Sequence, residues 1–267
     1  MLSVLIPTYN YNPQTLVDVL NRQASALNID YEILVLNDAS TMSIELTGCT
    51  VINLTKNVGR AKGRNILASR ARYPYLLFLD SDSMPANDDF LKRYIDNAHP
   101  DIVLAGGRIY HPMEGSLLTL YGAKERNPEE MQTYGKNRFT FLSPNFLIDA
   151  ELFNIVHFDE KLAMYGHEDT IFGIELIRHD IAYSRFDNPV FHEHIESNED
   201  YLQKVELAMK TFKSLYGRYP ELLERPIVRL SNIVPSVKLS FLRRKLLSKP
   251  SLRLFQLYKL LYLKSLQ

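Results

Sequence analysis

Two aspartates follow a run of four apolar residues in the segment LLFLDSDSMP, which extends from Leu76 to Pro85. An uninterrupted apolar run of this kind is typical of a strand that is buried on both faces. Asp80 and Asp82 can turn two carboxylates toward one point, which suits Mg²⁺ or Mn²⁺ and leaves open positions for phosphate oxygens. Asp and Ser are also common in turns after strands, so the pair alone allows a turn and a metal clamp about equally.

Two other predicted strands also end in polar residues. The segment SVLIPTYN ends in Thr8, Tyr9 and Asn10, and the segment EILVLND ends in Asn37 and Asp38. Strand and helix signals alternate through the first half of the chain, which predicts an α/β fold with a Rossmann-like, mostly parallel sheet and helices on both faces. Ligands bind beyond the carboxyl ends of the strands in such sheets. The polar strand ends are therefore expected to meet at one edge, which favours the metal interpretation of the two aspartates.

A basic cluster lies in the segment KNVGRAKGRN, which extends from Lys56 to Asn65. Arg60, Lys62 and Arg64 surround two glycines at the expected start of a helix, where backbone N–H groups and basic side chains suit an anionic phosphate. A solvated basic helix face is the alternative, and it fits at least one of these charges. The segment matches neither the dinucleotide-binding GxGxxG pattern nor a Walker loop.

Two acids and two histidines later in the chain have the chemistry for the same site. Glu168 and Asp169 open a predicted helix, where acids are common, although a carboxylate beside a cleft can also accept a proton from a hydroxyl. His192 and His194 end the segment NPVFHEH. A single histidine is more often structural than a ligand. We favour His192 as a metal ligand because the predicted strand leads directly to it.

Together these segments resemble the family 2 glycosyltransferases, which are nucleotide-sugar-dependent enzymes with a GT-A fold. The resemblance covers residues 3 to about 194 and rests on six ordered segments: SVLIPTYN, LVLNDAS, NVGRAKGRN, LLFLDSDSMP, FDEKLAMYGHEDTIFGIEL and NPVFH. It implies a GT-A fold and an inverting glycosyltransferase of the hexosyltransferase type. The family often has Trp-Gly-Gly before its Glu-Asp pair, whereas this chain has no tryptophan. Tyr165 is the expected aromatic substitute for stacking on a sugar.

The resemblance also implies a role for each candidate residue. Asp169 would act as the catalytic base. Asp80 and Asp82 would form the DxD motif that holds the diphosphate through a divalent cation, Mn²⁺ or Mg²⁺, with His192 as a further metal ligand. The residues expected to bind the acceptor are Glu168, Tyr165 and His167. The residues expected to bind the donor nucleotide are Pro7, Thr8, Tyr9, Asp38, Asn57, Arg60, Arg64 and Ser81.

The implied donor is a nucleoside-diphosphate sugar, with UDP preferred and GDP and dTDP open. The implied acceptor is a glycan or a lipid-linked glycan, as in polysaccharide biosynthesis at the cell envelope. A sugar nucleotidyltransferase is one alternative, but the segment PTYNYNP lacks the glycine- and arginine-rich phosphate loop that such an enzyme should carry after its first strand. A non-catalytic protein that binds nucleotide sugars or glycans is the other, and it would not need Asp80, Asp82 and Asp169 together.

The chain has no net charge, but its charges are unevenly distributed along the sequence. Residues 216–267 contain eleven Lys and Arg but only two Glu, a net charge of +9, so the rest of the chain carries −9. We expect a GT-A catalytic domain over 1–215, with a nucleotide-sugar half at 1–109 and an acceptor half at 110–215, and a basic helical extension over 216–267. The region from Tyr110 to Phe141 is predicted to be an irregular loop over the site.

The last part of the extension, residues 240–267, mixes Leu, Phe and Tyr with Arg and Lys. This mixture is typical of helices that lie on an anionic membrane surface. A helical hairpin packed on the catalytic domain or on a second subunit fits about equally, so a homo-oligomer stays open. Nucleic acid is not an expected partner, because the recognised binding motifs are missing. Without a basic leader or a long apolar run, and with Cys49 as its single cysteine, the chain is expected to be cytoplasmic, at most peripheral on the inner membrane face.

Overall fold

The computed structural model describes residues 1–125, 141–162, 165–235 and 237–266. The chain divides into two compact units. The first unit comprises residues 1–109, 126–161 and 168–193, and the second comprises residues 110–125, 162–167 and 194–267. The domain boundary expected at residue 215 falls inside the second unit, and the predicted functional division of the chain stays a prediction.

Strands and helices alternate along the first part of the chain, as the sequence pattern predicts. The strands are β1 (Leu2–Thr8), β2 (Tyr31–Asn37), β3 (Thr50–Asn53), β4 (Tyr75–Leu79), β5 (Ser83–Pro85), β6 (Ile102–Ala105), β7 (Arg108–Tyr110), β8 (Asn145–Asp149), β9 (Ala182–Arg185) and β10 (Val190–His192). The helices are α1 (Gln14–Leu27), α2 (Arg60–Arg70), α3 (Phe90–Asn97), α4 (Leu117–Glu125), α5 (Ala150–Val156), α6 (Glu168–Arg178), α7 (Asn198–Ser214), α8 (Pro226–Ile233), α9 (Leu239–Ser248) and α10 (Leu252–Ser265), with a short 3₁₀ helix at Pro220–Glu224.

The large sheet of the first unit has seven strands in the order β3-β2-β1-β4-β8-β6-β9. β1 pairs in parallel with β2 and β4, and β2 with β3, so the carboxyl ends of these strands share one edge. β8 is antiparallel to both of its neighbours, while β6 and β9 are again parallel. The sheet is therefore mostly parallel, which confirms the predicted fold class.

Both faces of this sheet are covered. In β1, Leu5 belongs to one buried cluster, whereas its neighbours Val4 and Ile6 belong to another, because successive side chains of a strand point to opposite faces. The cluster around Leu5 includes residues of α2, α5 and α6, and the cluster around Val4 includes residues of α1 and α3. The continuous apolar runs of the sequence thus correspond to strands buried between two helical layers.

The segment DIVLAGGRIY (residues 101–110) has the sequence pattern of one strand but forms two strands in different sheets. β6 ends at Ala105 in the large sheet, and β7 begins at Arg108 in a small sheet with the order β5-β10-β7. A Cβ on Gly106 would lie 2.4 Å from both the Asn188 carbonyl oxygen and the Tyr94 hydroxyl, so only glycine fits there. Gly107 has a φ of +83°, which breaks the extended backbone. The double glycine is therefore the point at which the chain changes sheets.

The second unit is helical. The region from Tyr110 to Phe141, expected to be irregular, contains helix α4, and its residues 126–140 lie outside the described part of the chain. The predicted basic extension forms α8, α9 and α10. α10 buries Phe255, Tyr258 and Leu261 in a cluster with residues of α4, α7 and α9. No helix among the described residues is long and apolar enough to cross a membrane.

A polar network fastens the C-terminal helices to α7. Arg243 of α9 donates to Glu199 and Glu206 of α7, and the Tyr258 hydroxyl of α10 donates to Glu206 Oε1 over 2.6 Å. The hydrogen bonds with Glu199 and Glu206 raise the pKa of Arg243, which keeps its guanidinium charged. The inner faces of α9 and α10 are thus committed to packing within their own unit.

Candidate active site

A tight turn carries the two aspartates from the large sheet to the small one. β4 ends at Leu79, and the N–H of Ser83, the first residue of β5, donates to the Asp80 carbonyl oxygen over 3.1 Å. Ser83 is paired across the small sheet with His192 of β10. The segment is therefore a turn, as one interpretation predicted, and this turn brings the second aspartate to the strand that carries His192.

Asp82 and His192 form a close carboxylate–imidazole pair. His192 Nδ1 lies 3.4 Å from Asp82 Oδ1, and both side chains are largely buried. Burial raises the pKa of Asp82, but the hydrogen bond and charge of His192, with the charges of Arg60 and Arg108, outweigh burial and hold this pKa below 3.8. The carboxylate is therefore ionised at neutral pH and ready to accept a cation.

The donor atoms of this pair suit a divalent cation. Carboxylate oxygen and imidazole nitrogen are ligands that Mn²⁺ accepts. Within the described residues, no group of three or more His, Cys, Asp or Glu side chains is placed to hold a metal ion. A cation held by Asp82 and His192 would therefore have to take its remaining ligands from a bound diphosphate or from water.

Arg64 lies inside the first unit, where it connects two carboxylates. Its Nη2 lies 2.7 Å from Asp80 Oδ1 and its Nη1 lies 3.5 Å from Glu168 Oε1, while only 1% of its side chain is exposed. The guanidinium also sits over the ring of Phe158, 5.1 Å from the centroid. The phosphate contact that the sequence predicts for Arg64 stays a prediction, since both of these ion pairs occupy its buried guanidinium.

Arg60, one turn earlier on α2, reaches the same glutamate from a more exposed position. Its Nη1 lies 3.8 Å from Glu168 Oε1, and 53% of its side chain is exposed. Its charge also acts on Asp82. Of the two predicted phosphate-binding arginines, Arg60 is the one with an accessible guanidinium.

Asp169 is the acid with the largest change in proton affinity at this site. Burial and, after it, the neighbouring charge of Glu168 raise its pKa from 3.8 to about 7. A hydrogen bond from the Thr170 N–H and the charges of Arg64 and Arg108 oppose this increase. A carboxylate with a pKa near neutrality is balanced between proton acceptor and proton donor, which is the property of a general base.

Arg108 is a site residue that the sequence analysis missed. Its charge lowers the pKa of both Asp82 and Asp169, so the guanidinium lies within electrostatic reach of the Asp82–His192 pair and of the Asp169 carboxylate. The double glycine before it was the available signal, because a break at Gly106 and Gly107 starts a new strand at Arg108. Tyr11 was missed as well, and its pKa is raised by burial and by the charge of Asp82.

Asn145 holds this part of the fold together. Its side-chain amide donates to the carbonyl oxygens of Gly107 and Asn188 over 3.0 and 2.8 Å, and its Oδ1 accepts from the Tyr94 hydroxyl over 2.6 Å. The residue is fully buried. It therefore fixes the strand starts that lead to Arg108 and His192.

Asp38 anchors the loop before α2. Its carboxylate accepts the N–H groups of Val58 and Gly59 over 2.7 and 2.9 Å, and its carbonyl oxygen accepts from the Asn57 side chain over 3.1 Å. The nucleoside contact predicted for Asp38 would use the remaining lone pairs of the same carboxylate. Asp38 and Asn57 are thus brought together, at the carboxyl end of β2.

The other predicted donor-binding residues lie at neighbouring chain positions. Pro7 and Thr8 end β1, and the Thr8 hydroxyl donates to the Tyr11 carbonyl oxygen over 2.6 Å. Tyr9 follows with 51% of its surface exposed. Ser81 is partly buried in the turn between the two aspartates. The expected convergence at the carboxyl ends of β1, β2 and β4 agrees with the parallel pairing of these strands.

The predicted acceptor residues Tyr165 and His167 belong to the second unit. The Tyr165 carbonyl oxygen accepts from the Thr211 hydroxyl over 2.8 Å, and its side chain is 37% exposed. The His167 ring packs on Phe212, with 4.9 Å between ring centroids. Both residues are therefore attached to helix α7, and their contact with an acceptor stays a prediction.

The mostly parallel sheet and the acids at its strand ends agree with the GT-A fold that the sequence resemblance implies. The model of "Glycosyl transferase family 2" matches residues 3–156. Since that match covers more than half of the chain, the protein belongs to glycosyl transferase family 2.

Curated relatives carry names of the same class. Two Haemophilus influenzae proteins described as "Uncharacterized glycosyltransferase" match: one is 26% identical over 228 residues, covering 80% of this chain and 84% of its own, and the other is 28% identical over 145 residues, covering 50% and 47%. The poly(ribitol-phosphate) beta-N-acetylglucosaminyltransferase TarS of Staphylococcus aureus is 28% identical over 189 residues, covering 65% of this chain and 32% of TarS. The chain thus spans about half of one relative and a third of TarS.

Solved structures support the fold. The mannosyltransferase PcManGT from Pyrobaculum calidifontis, solved with GDP-Man and Mn²⁺, superposes with a TM-score of 0.61 at 12% identity, covering 98% of this chain and 85% of that one. This likeness extends the common architecture beyond the segment that the family model matches.

Proposed function

We propose that the protein transfers a sugar from a nucleoside-diphosphate sugar, in the first place a UDP-sugar, to a hydroxyl of a glycan or lipid-linked glycan, with inversion at the anomeric carbon. The observation that carries this proposal is the Asp169 carboxylate with its pKa of about 7, in the same unit as the Asp82–His192 pair. An acid with this pKa is suited to take a proton from an attacking hydroxyl at neutral pH.

The proposed reaction is a single displacement. The acceptor hydroxyl attacks the anomeric carbon and loses its proton to Asp169, while the nucleoside diphosphate leaves from the opposite face. The transition state resembles an oxocarbenium ion, as in other glycosyl transfers. Glu168 orients the acceptor in this scheme, and its contacts with Arg60 and Arg64 support that assignment because they restrict its carboxylate.

Asp82 and His192 would hold a divalent cation, and Asp80, braced by Arg64, would complete the DxD motif beside them. A cation held there would offset negative charge on the leaving diphosphate. The accessible guanidinium of Arg60 would add a second positive group for the same phosphates. PcManGT, which shares the fold, was solved with GDP-Man and Mn²⁺, and a donor of that chemical type fits the residues assigned here.

The remaining donor and acceptor contacts belong to the same proposal. Asp38 and Asn57 would bind the nucleoside together with Pro7, Thr8, Tyr9 and Ser81. Tyr165 would stack on the acceptor sugar, with His167 beside it in the chain. The exposure of Tyr9 and the partial exposure of Tyr165 support roles in binding, because neither side chain is buried in the core.

A binding panel followed by a transfer assay tests this function. Thermal unfolding is measured with UDP, GDP, dTDP and CMP, with and without Mn²⁺, and we expect one diphosphate to raise Tm only in the presence of Mn²⁺. Transfer from the matching sugar nucleotide is then compared between wild type and Asp169→Asn. We expect a loss of about 10²–10⁴-fold in turnover with unchanged Mn²⁺-dependent nucleotide binding.

Glu175→Gln provides the matched control for that variant. Glu175 lies on the same helix α6, and its carboxylate accepts from Arg178 over 2.9 Å. This variant should keep wild-type turnover. Equal losses of binding and turnover in Asp169→Asn would remove Asp169 as the base, and nucleotide-sugar binding without turnover in wild type would point to a non-catalytic binding protein.

A further inference from the structure

Four apolar side chains stand exposed around the connection between α8 and α9. The exposed fractions are 46% for Leu230, 77% for Ile233, 47% for Val237 and 53% for Phe241. Single exposed apolar residues are normal on protein surfaces, but a group of large ones within a few turns marks an interaction surface.

Exposed basic side chains lie close to these apolar ones along the chain. Arg229, Lys238, Arg244 and Lys245 are all exposed. No Asp or Glu follows Glu224 in the sequence, so the surrounding chain carries positive charge alone. These eight residues form the basic–apolar surface: Arg229, Leu230, Ile233, Val237, Lys238, Phe241, Arg244 and Lys245.

The packing of the second unit separates this surface from the core. Leu242 and Leu246 of α9 are buried in the cluster that also holds Phe255. Arg243 faces inward as well, where it pairs with Glu199. In the part of the chain that the structure describes, Arg244 and Lys245 form no side-chain ion pair, so their charges are available to a partner. Helix α9 therefore packs one side against its own unit and exposes the other side to solvent.

We infer that the basic–apolar surface docks the protein on an anionic lipid bilayer. An anionic bilayer binds both kinds of side chain favourably. Its surface attracts Lys and Arg, and its acyl boundary takes up apolar side chains. A second copy of the chain would bring one +9 segment against another, and a nucleic acid would leave Ile233 and Phe241 in water. α8 and α9, with 8 and 10 residues, have the length of helices that lie on a membrane rather than cross it.

This surface differs from the one expected from sequence. The expectation covered residues 240–267, yet α10 buries its large apolar side chains within the second unit. The inferred surface instead begins at Arg229 and ends at Lys245. It rests on exposure and charge in the second unit, and it does not depend on the proposed donor, acceptor or catalytic base.

Vesicle sedimentation of the full chain tests the inference. Wild type should sediment with vesicles of phosphatidylglycerol and phosphatidylcholine, and should stay in solution with phosphatidylcholine alone. Arg244→Gln with Lys245→Gln should weaken binding about fivefold per charge removed, since each basic residue at an anionic surface contributes about 1 kcal/mol. Ile233→Asn with Phe241→Ser should weaken it about tenfold or more through lost apolar burial.

Leu207→Asn with Lys210→Gln is the matched control, because Leu207 is 39% exposed and Lys210 is exposed on helix α7 of the same unit. This control should bind vesicles like wild type. Equal sedimentation of all variants, or of wild type with both vesicle types, would overturn the inference. So would a concentration-dependent dimer in analytical ultracentrifugation that Ile233→Asn with Phe241→Ser abolishes. Mn²⁺-dependent nucleotide binding should be unchanged in every variant, which separates this test from that of the proposed function.

Discussion

The guanidinium of Arg64 lies 2.7 Å from the carboxylate of Asp80 and is almost completely buried. The same side chain reaches Glu168 at the start of α6 over 3.5 Å. One arginine therefore ties the turn after β4, which carries Asp80 and Asp82, to the helix that carries Glu168 and Asp169. Arg64 thus connects the chain segment of the Asp82–His192 pair with that of Asp169, whose pKa is raised.

Removing the Arg64 guanidinium should destabilise the fold strongly. Arg64→Met leaves the largely buried carboxylate of Asp80 without its cation and leaves Glu168 with the exposed Arg60 alone. We therefore expect the free energy of unfolding to fall by about 3 kcal/mol. Arg60→Met is the matched control, because Arg60 contacts the same glutamate from an exposed position at 3.8 Å. The control should cost less than about 1 kcal/mol. Urea-induced unfolding at pH 7 measures both, and equal effects would show that Arg64 is not a structural link.

The sequence predicts the positions of the acids better than their contacts. The strand ends at Asp38 and Asp80 follow from local apolar runs and from the rule that ligands bind at the carboxyl edge of a parallel sheet. Arg64 could not be assigned in this way, because Arg60, Lys62 and Arg64 carry the same charge on one helix. Only the tertiary packing decides which of them is buried.

The role of Arg108 was hidden for a different reason. The apolar run before it continues the pattern of a strand, so the segment through Tyr110 appears as one element. The break at Gly106 is dictated by the Asn188 backbone and the Tyr94 hydroxyl, which come from other parts of the chain. The double glycine marks a break in the strand, but a local pattern does not show which residues Arg108 meets after that break.

Metal-dependent binding should depend on His192 and not on His194. We expect His192→Ala to weaken Mn²⁺-dependent binding of the matching nucleoside diphosphate about tenfold or more, since it would remove one of the proposed metal ligands. His194→Ala, which changes an exposed histidine of the same segment, should bind like wild type. Titration calorimetry with and without Mn²⁺ measures the difference. A larger effect at His194 would contradict the assignment.

The pH dependence of transfer should follow Asp169. Because the base must be ionised, kcat/KM should rise with pH and level off above an inflection near pH 7, the pKa of this carboxyl. Glu168→Gln removes a charge that raises this pKa and should move the inflection down, whereas Arg108→Met removes a charge that lowers it and should move the inflection up. Lys62→Met, on exposed α2 surface, should leave it unchanged. Shifts of the same sign in Glu168→Gln and Arg108→Met would reject Asp169 as the titrating group.

The raised pKa of Asp169 also has a consequence for stability. A carboxyl whose pKa is about 7 in the folded state and 3.8 otherwise favours the folded state when protonated, so wild type should lose stability as pH rises from about 4 to about 7. Asp169→Asn removes this titration, and its amide oxygen can still accept the Thr170 N–H. We expect the variant to exceed wild type in free energy of unfolding by on the order of 4 kcal/mol at pH 8 and to match it near pH 4.

Urea unfolding followed by tyrosine fluorescence, with Asp88→Asn as the control, measures this difference. Asp88 is fully exposed, so its replacement should leave the pH dependence of stability unchanged. If Asp169→Asn is instead less stable than wild type at pH 8, the ionised carboxylate makes net favourable contacts in the fold. The activity loss of that variant would then have a structural cause. A variant that is more stable than wild type but inactive at pH 8 would show that the ionised Asp169 carboxylate, which the reaction needs, destabilises the fold.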